Sequence, residues 1–249
     1  MYMLSLDTAA KTASVTVSVL SEKGLCKPLA RATVNATLTH SESLLPMIDF
    51  CLKNAALSFS DIECIAISTG PGSFTGVRIG AATAKGLVYA RPDMLCVGVS
   101  TLEALAYNVS AYSGILLPVM DARRNQFYHA FFEPCAGGVN RLSADALLTY
   151  DEIIEEVRSK FPGKKMLLVG DGARAFEGLH RKKGAEDIEI AVCEEADMYE
   201  DAFSVARCAA RIIQAEVPLY PEHFGIRQLE PVYLRASQAE RERAEKNIQ

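Results

Sequence analysis

The stretch that decides the fold is Gly70-Pro71-Gly72-Ser73-Phe74-Thr75-Gly76-Val77-Arg78-Ile79-Gly80. An apolar, strand-like run, Cys64–Ser68, leads into it, and a helical pattern over about Thr75–Ala90 leads out of it. A phosphate-binding P-loop requires Lys directly after its last glycine, whereas Val77 follows Gly76 here. The segment therefore predicts a structural turn between a strand and a helix in an α/β protein.

Outward from this turn, the first half of the chain contains alternating strand and helix signals. A helix is expected to begin at Ser100, where Ser100 and Glu103 have capping-box spacing. The remaining predicted strands are Met1–Leu6, Ser14–Leu20, Leu29–Val34 and Leu95–Val99, and a helix is predicted near Ser41–Ala55.

The second half repeats this order of elements. Its predicted strands are Ile115–Met120, Gln126–Phe132, a weaker one near Val139–Leu142, Met166–Val169 and Ile188–Val192. Its predicted helices are Glu152–Lys160, Arg174–His180 and Asp201–Glu216. Each half then reads β-β-β-α-β-α-β-α, which indicates two ribonuclease-H-like domains in the actin-like ATPase (ASKHA) architecture. We predict domains at 1–108 and 109–236, followed by a polar, frayed tail at 237–249.

Composition places the chain among ordinary soluble proteins. Its 249 residues are 49% apolar and 23% charged, and the net charge of −5 provides no bulk attraction for nucleic acid. The seven cysteines are odd in number and none forms a C-x-x-C pair, which favours reduced thiols in the cytoplasm. No apolar run has the about 20 residues needed to cross a bilayer, and no signal peptide is visible.

Five motifs occur together in a family-specific order. They are Leu6-Asp7-Thr8, Thr39-His40-Ser41-Glu42, the glycine-rich turn 70–80, Met120-Asp121-Ala122-Arg123-Arg124-Asn125 and Val169-Gly170-Asp171-Gly172-Ala173. Over nearly its whole length the chain resembles the bacterial TsaB (YeaZ) family, part of the wider TsaD/glycoprotease-like family. The resemblance implies a non-catalytic partner of the TsaD enzyme, which forms the threonylcarbamoyl group on the adenosine next to the tRNA anticodon.

The resemblance also implies a set of partners. These are a TsaD-like enzyme, a TsaE-like ATPase in the same complex, a second copy of the chain when it is alone, and tRNA only indirectly. No membrane is involved. In this family the first-domain helices form the contact with TsaD and with the second copy.

The predicted partner interface lies on two helices of the first half. Helix Ser43–Ala55 is apolar over more than half its circumference, with Met47 and Phe50 beside the main stripe, and Pro46 suggests that its regular part begins near Ser43. The next helix is rich in small residues, which allow another helix to approach closely. The expected interface residues are Leu44, Met47, Phe50, Cys51, Gly80 and Ala84.

Two turns correspond to the phosphate-binding hairpins that the resemblance implies, Asp7–Ala13 and Asp121–Gln126. Phosphate hairpins use glycine so that the backbone can approach the ligand, and the second turn has bulky side chains instead. We therefore expect no cofactor in this chain alone, with ADP or ATP bound only at a complex interface. Asp7 and Arg123 are the candidate nucleotide contacts.

No catalytic residue and no metal site are predicted. The resemblance places Thr101 and Leu105 where TsaD carries its metal-binding histidine pair, and neither side chain replaces imidazole. His40-Ser41-Glu42 suggests a peptidase, but adjacency does not create a triad, and Thr39 or Ser41 reads better as a helix cap. The alternatives left open are an active ATP-dependent transferase or kinase of the same architecture and, less favoured, a glycoprotease-like peptidase.

Overall fold

The computed structural model describes residues 1–35, 39–89, 91–216 and 224–235. The predicted tail 237–249 lies outside these ranges. Within them the chain is a mixed α/β protein with two sheets. None of the helices in the described ranges combines the length and the hydrophobicity needed to cross a membrane.

The first sheet has the strand order β3-β2-β1-β4-β5. Its first three strands are antiparallel neighbours, and β4 and β5 run parallel to β1. All the elements predicted for this half are present, with ends that shift by up to a few residues. They are β1 (Tyr2–Asp7), β2 (Ala13–Leu20), β3 (Cys26–Val34), α1 (His40–Asn54), β4 (Ile62–Gly70), α2 (Phe74–Tyr89), β5 (Leu95–Ser100) and α3 (Thr101–Asn108).

The second sheet repeats this arrangement in the order β10-β7-β6-β11-β12, with a β8–β9 hairpin that branches off β6. Its strands are β6 (Ile115–Asp121), β7 (Gln126–His129), β8 (Phe132–Cys135), β9 (Gly138–Arg141), β10 (Ala146–Thr149), β11 (Met166–Val169) and β12 (Ile190–Val192). The helices of this half of the chain are α4 (Tyr150–Lys160) and α5 (Ala173–Lys183), and α6 (Ala202–Glu216) follows β12.

Two sequence predictions for the second half were wrong. The run Gln126–Phe132 is not one strand, because β7 ends at His129 and β8 begins at Phe132. The third strand of the sheet is β10, which pairs with β7, whereas the predicted run Val139–Leu142 falls largely in β9 of the side hairpin. Pairing across the sheet decides which of two weak segments becomes the third strand.

Two apolar cores hold the structure together. One lies between the first sheet and helices α1 and α2. The other extends from the opposite face of that sheet, through α3 and α6, into the second sheet. Because helices cover both faces, nearly every residue of β1, β2 and β4 is buried. Helix α6 contacts all five strands of the first sheet, so the division at 108/109 separates the two sheets but not this helix.

After α6, residues 224–235 form a C-terminal strap across the first half. The amide of Cys96 donates to the carbonyl of Phe224 at 2.8 Å, and the amide of Val232 donates to the carbonyl of Thr69 at 2.8 Å. Between these points Leu229 is buried in the core beside α1 and α2. At the far end, the Arg235 guanidinium donates to the carbonyl of Ala122 at 2.7 Å. The strap therefore links the first sheet to the β6–β7 turn.

Candidate functional site

Helix α1 begins earlier than its proline suggests. The amide of Thr39 donates to the Glu42 carboxylate at 3.0 Å, a capping-box arrangement, and α1 starts at His40. Pro46 then lies inside the helix at an exposed position. The expected start near Ser43 was therefore wrong, because the cap fixes the first turn.

The buried stripe of α1 differs from the one the sequence suggested. Leu44, Met47 and Cys51 pack into the core against the first sheet, with 1%, 6% and 0% of their surface exposed. Phe50 is 52% exposed and Leu45 is 56% exposed. The placement of Leu44, Met47 and Cys51 on a partner face is therefore corrected: the stripe is rotated around the helix, and Leu45 takes the outer position.

Helix α2 uses its glycines to pack closely against the end of β1. A Cβ atom on Gly80 would lie 2.5 Å from Oγ1 of Thr8, and one on Gly76 would overlap the carbonyl oxygen of Thr8. The Thr8 hydroxyl also donates to the carbonyl of Gly76 at 2.8 Å. Gly80 and Ala84 are buried, so these two predicted interface residues serve packing within the chain.

The outer faces of α1 and α2 each expose apolar and small residues. The two helices contact each other. We call this the helix-pair surface and define it by exposed residues of both helices: Leu45, Pro46 and Phe50 on α1 and Ala82, Gly86 and Tyr89 on α2. Of the six predicted interface residues, only Phe50 lies on it. Sequence reasoning counted both Ala82 and Gly86 among the small residues of this helix, but it did not identify Leu45 or Tyr89 as exposed positions.

Asp7 lies buried at the end of β1 in an acidic environment. Its Oδ1 accepts from the amide of Ala9 at 2.9 Å, and its Oδ2 finds no partner among the described residues. Burial raises the pKa of Asp7 to about 6. Burial raises the pKa of Glu200 well above its usual range too, and the negative charges of Asp7 and Asp171 add to the shift. Both carboxyls are thus biased toward their neutral forms.

The second candidate turn has an unusual backbone. Arg123, Arg124 and Asn125 all have left-handed φ values, of 66°, 58° and 56°. The amide of Arg123 donates to Asp121 Oδ1 at 2.7 Å, and the amide of Asp121 donates to Asp171 Oδ1 at 3.1 Å. The side chain of Arg123 is 87% exposed. This hairpin presents arginine side chains to solvent where a phosphate-binding hairpin would present glycine amides.

These two turns do not fit a nucleotide phosphate. On one side Asp7 and Glu200 are buried carboxyls, which in their charged forms would repel an anion. On the other side the turn at Arg123 and Arg124 lacks glycine for close approach of the backbone. The structure does not join Asp7 and Arg123 by any contact among its described residues. The negative charge of Asp171 raises the pKa of Glu200, and the positive charge of Arg123 lowers the pKa of Asp171.

Other residues weighed from the sequence have structural surroundings. Thr101 and Leu105 are 0% and 1% exposed and lie on the buried side of α3, where Thr101 is the first residue. His40 Nε2 lies 2.7 Å from the carbonyl of Ala10, while the Ser41 hydroxyl contacts Thr39 Oγ1 at 2.9 Å. The two side chains of the suggested peptidase motif thus contact different groups, and Thr39, one of the two predicted caps, is the helix cap.

Comparison with known proteins supplies the family. The sequence profile described as "TsaD: tRNA N6-adenosine threonylcarbamoyltransferase" matches residues 34–243. The chain belongs to the TsaD family. Among its members, the protein named "tRNA threonylcarbamoyladenosine biosynthesis protein TsaB" from Escherichia coli is 29% identical, over 94% of this chain and 95% of the relative. The protein of the same name from Bacillus subtilis is 26% identical, over 87% and 96% of the two chains.

Solved structures of this family share the fold. YeaZ from Pseudomonas aeruginosa superimposes with a TM-score of 0.74 at 22% sequence identity, over 94% of this chain and 99% of the other. Sequence and fold together place the chain with the TsaB (YeaZ) proteins of the TsaD family.

Proposed function

We propose that this chain is a non-catalytic partner of a TsaD-like enzyme and supports formation of threonylcarbamoyladenosine in tRNA. Its relatives bear the name of that biosynthesis, and the chain matches them along most of their length. The observation that carries the proposal is the helix-pair surface, which exposes Leu45, Phe50 and Tyr89 together with small residues on two contacting helices.

The helix-pair surface suits a helical partner. Phe50 leaves about half of its surface in water, and Tyr89 leaves 88%. Burying apolar surface stabilises a complex by about 25 cal/mol per Å² before association costs. A Cβ atom added to Gly86 would meet nothing within 4 Å, so a neighbouring helix could approach the backbone closely there. Asp49 and Lys53, which pair with each other, lie between Leu45 and Phe50 around α1 and would add polar contacts within the interface.

The proposal assigns catalysis to the partner. Thr101 and Leu105 replace the histidine pair that the family resemblance assigns to TsaD, and both are packed in the core. The finer architecture that we propose is a pair of ribonuclease-H-like halves of actin-like (ASKHA) type, supported by the matching strand orders of the two sheets. A cytoplasmic location agrees with seven cysteines that are all free.

The remaining partners follow from the same surface. We infer that a second copy covers the helix-pair surface when the enzyme is absent, because exposed apolar side chains are unfavourable in water. The enzyme and the second copy would then exclude each other, since one surface cannot hold both. A TsaE-like ATPase would join the assembled complex, and ADP or ATP would bind only where two chains meet. The chain alone is then expected to turn over no ATP above background.

The substitution Phe50→Asp tests the proposal. An unpaired carboxylate buried in an interface costs several kcal/mol, and each 1.4 kcal/mol is a tenfold change in affinity, so binding to the TsaD-like enzyme should weaken by about 100-fold or more. In the free chain the carboxylate would be exposed, so circular dichroism and the melting temperature should change little. Calorimetry on the purified pair measures the affinity.

A matched control is Leu142→Asp, which adds the same charge at a 39% exposed leucine beside β9. It should leave the affinity within about twofold of the original chain, since surface changes outside an interface are near neutral. A folded Phe50→Asp protein that binds the enzyme normally would remove the helix-pair surface from the proposal.

A further inference from the structure

Arg78, at the start of α2, is held by two aromatic rings. Its guanidinium carbon lies 3.8 Å from the ring centre of Phe74 and 5.7 Å from that of Tyr233. Its Nε donates to the Tyr233 hydroxyl at 2.9 Å, and the two rings are 4.8 Å apart. No carboxylate among the described residues pairs with this guanidinium. A cation fixed by stacking keeps its remaining N–H groups available to an anion.

Three further arginines lie beyond Arg78, one on the strap and two in the β6–β7 turn. Arg235 follows Tyr233 by two residues and donates to the carbonyl of Ala122. Arg123 and Arg124 come next in the turn, where both are exposed. Arg123 lies 3.5 Å from the Asp121 carboxylate, and Arg124 makes no ion pair within the described ranges. We call Arg78, Arg123, Arg124 and Arg235 the arginine strip.

Elsewhere on the surface many arginines are neutralised by carboxylates. Arg91 pairs with Asp93, Arg141 with Glu103 and Asp145, Arg158 with Asp187, and Arg181 with Glu177. In the arginine strip, Arg78, Arg124 and Arg235 have no carboxylate partner among the described residues, although the net charge of the chain is −5; Arg207, Arg211 and Arg227 elsewhere also have none. Guanidinium groups present planar, paired N–H donors that match phosphate oxygens, and exposed arginines provide a large part of the affinity for nucleic-acid backbones.

We infer that the arginine strip binds the phosphate backbone of tRNA directly. This inference rests on the proposed function, which brings the tRNA to the complex, and assigns this chain a contact of its own. The position supports it, because Arg78 lies on α2, the helix that also carries half of the helix-pair surface. An enzyme bound to the helix-pair surface would thus lie beside Arg78, which precedes exposed Ala82 by one helical turn. An acidic segment of the enzyme is the competing occupant, and the experiment separates the two.

The test uses the complex of the full chain with its TsaD-like enzyme and an unmodified tRNA transcript. Size-exclusion chromatography first establishes that the double variant Arg123→Glu/Arg124→Glu still binds the enzyme. Fluorescence anisotropy then measures tRNA affinity across a salt series. We expect at least a tenfold loss at low salt and a salt slope reduced by about two, one for each phosphate contact removed.

The matched control is Arg181→Glu together with Arg158→Glu, which changes the net charge equally at arginines outside the strip. Its tRNA affinity should stay within about twofold. An equal loss in this control, or an unchanged affinity and slope in the strip variant, would overturn the inference. So would loss of enzyme binding with tRNA binding intact. If the original chain forms no complex, the proposed function fails separately, and the same titration on the chain alone decides the inference.

Discussion

At the scale of single residues, side chains of the same chemical type differ widely in their burial. Met47 and Phe50 are both apolar and three positions apart on α1, yet one is 6% exposed and the other 52%. Asp7 and Asp49 are both aspartates, yet Asp7 is 1% exposed, whereas Asp49 pairs with Lys53 in solvent. Charge at Asp7 should therefore destabilise the fold, while charge at Asp49 should matter little.

The substitution Asp7→Asn should make the chain more stable at neutral pH. The folded pKa of Asp7, about 6, lies above the unfolded value of about 3.9, so protonation favours the folded state. The contribution of Asp7 to the free energy of unfolding is fully present below pH ~4 and is lost as the pH rises through about 6. This contribution is at most about 3 kcal/mol. Asp7→Asn should remove this loss. Urea unfolding from pH 4 to pH 8 measures it.

Asp49→Asn is the control, and it should shift the free energy of unfolding by less than about 0.5 kcal/mol, because exposed ion pairs contribute little. Glu200→Gln should act in the same direction as Asp7→Asn, since burial and the charges of Asp7 and Asp171 raise its pKa. An Asp7→Asn protein that is less stable than the original at pH 8 would contradict this prediction, because it would show that the fold stabilises the charged carboxylate.

At the scale of elements, the two sides of the glycine-rich helix α2 have different surroundings: one packs against the end of β1 and the other is exposed. Gly76 and Gly80 face Thr8 and let the helix rest on the end of β1. Gly86 faces open space on the helix-pair surface. The sequence shows the small residues, but their spacing alone does not reveal which of them face the sheet.

Alanine at these two glycines should have opposite effects on stability. Gly80→Ala must displace Thr8 or the helix, at a cost of about 1–3 kcal/mol, as overpacking does. Gly86→Ala should stabilise the free chain by roughly 1 kcal/mol, because alanine favours a helix interior. Denaturant midpoints of the two variants provide the comparison. Equal effects of the two substitutions would contradict the packing of α2 against Thr8.

At the scale of the whole molecule, α6 and the strap join the two halves. Val205, Ala206 and Ala209 on α6 are fully buried in the core that spans both sheets. The strap then returns across the first half to reach Ala122. Folding of the first sheet thus depends on segments that come more than ninety residues later in the chain.

The fragment 1–108 is therefore expected not to fold alone. Without α6 it would expose apolar side chains of the first sheet such as Met3, Cys64 and Val97, and without the strap it would lose Leu229 from the other face. The full chain should unfold in a single cooperative transition. Circular dichroism and the dispersion of amide signals in NMR spectra test the fragment, and a well-dispersed spectrum would show that the predicted domain boundary is an independent folding boundary.

The sequence by itself determined the class of the fold and most of its elements, because strand and helix periodicity, the Thr39 cap and the glycine-rich turn are local properties. It also carried the family motifs, which lie in short contiguous segments. The tertiary structure alone decided the face of α1 that is free, the strand that completes the second sheet and the sheet on which α6 packs. Those outcomes depend on contacts between residues far apart in the chain, as when Met47 packs in the core with the first sheet while Phe50 stays exposed.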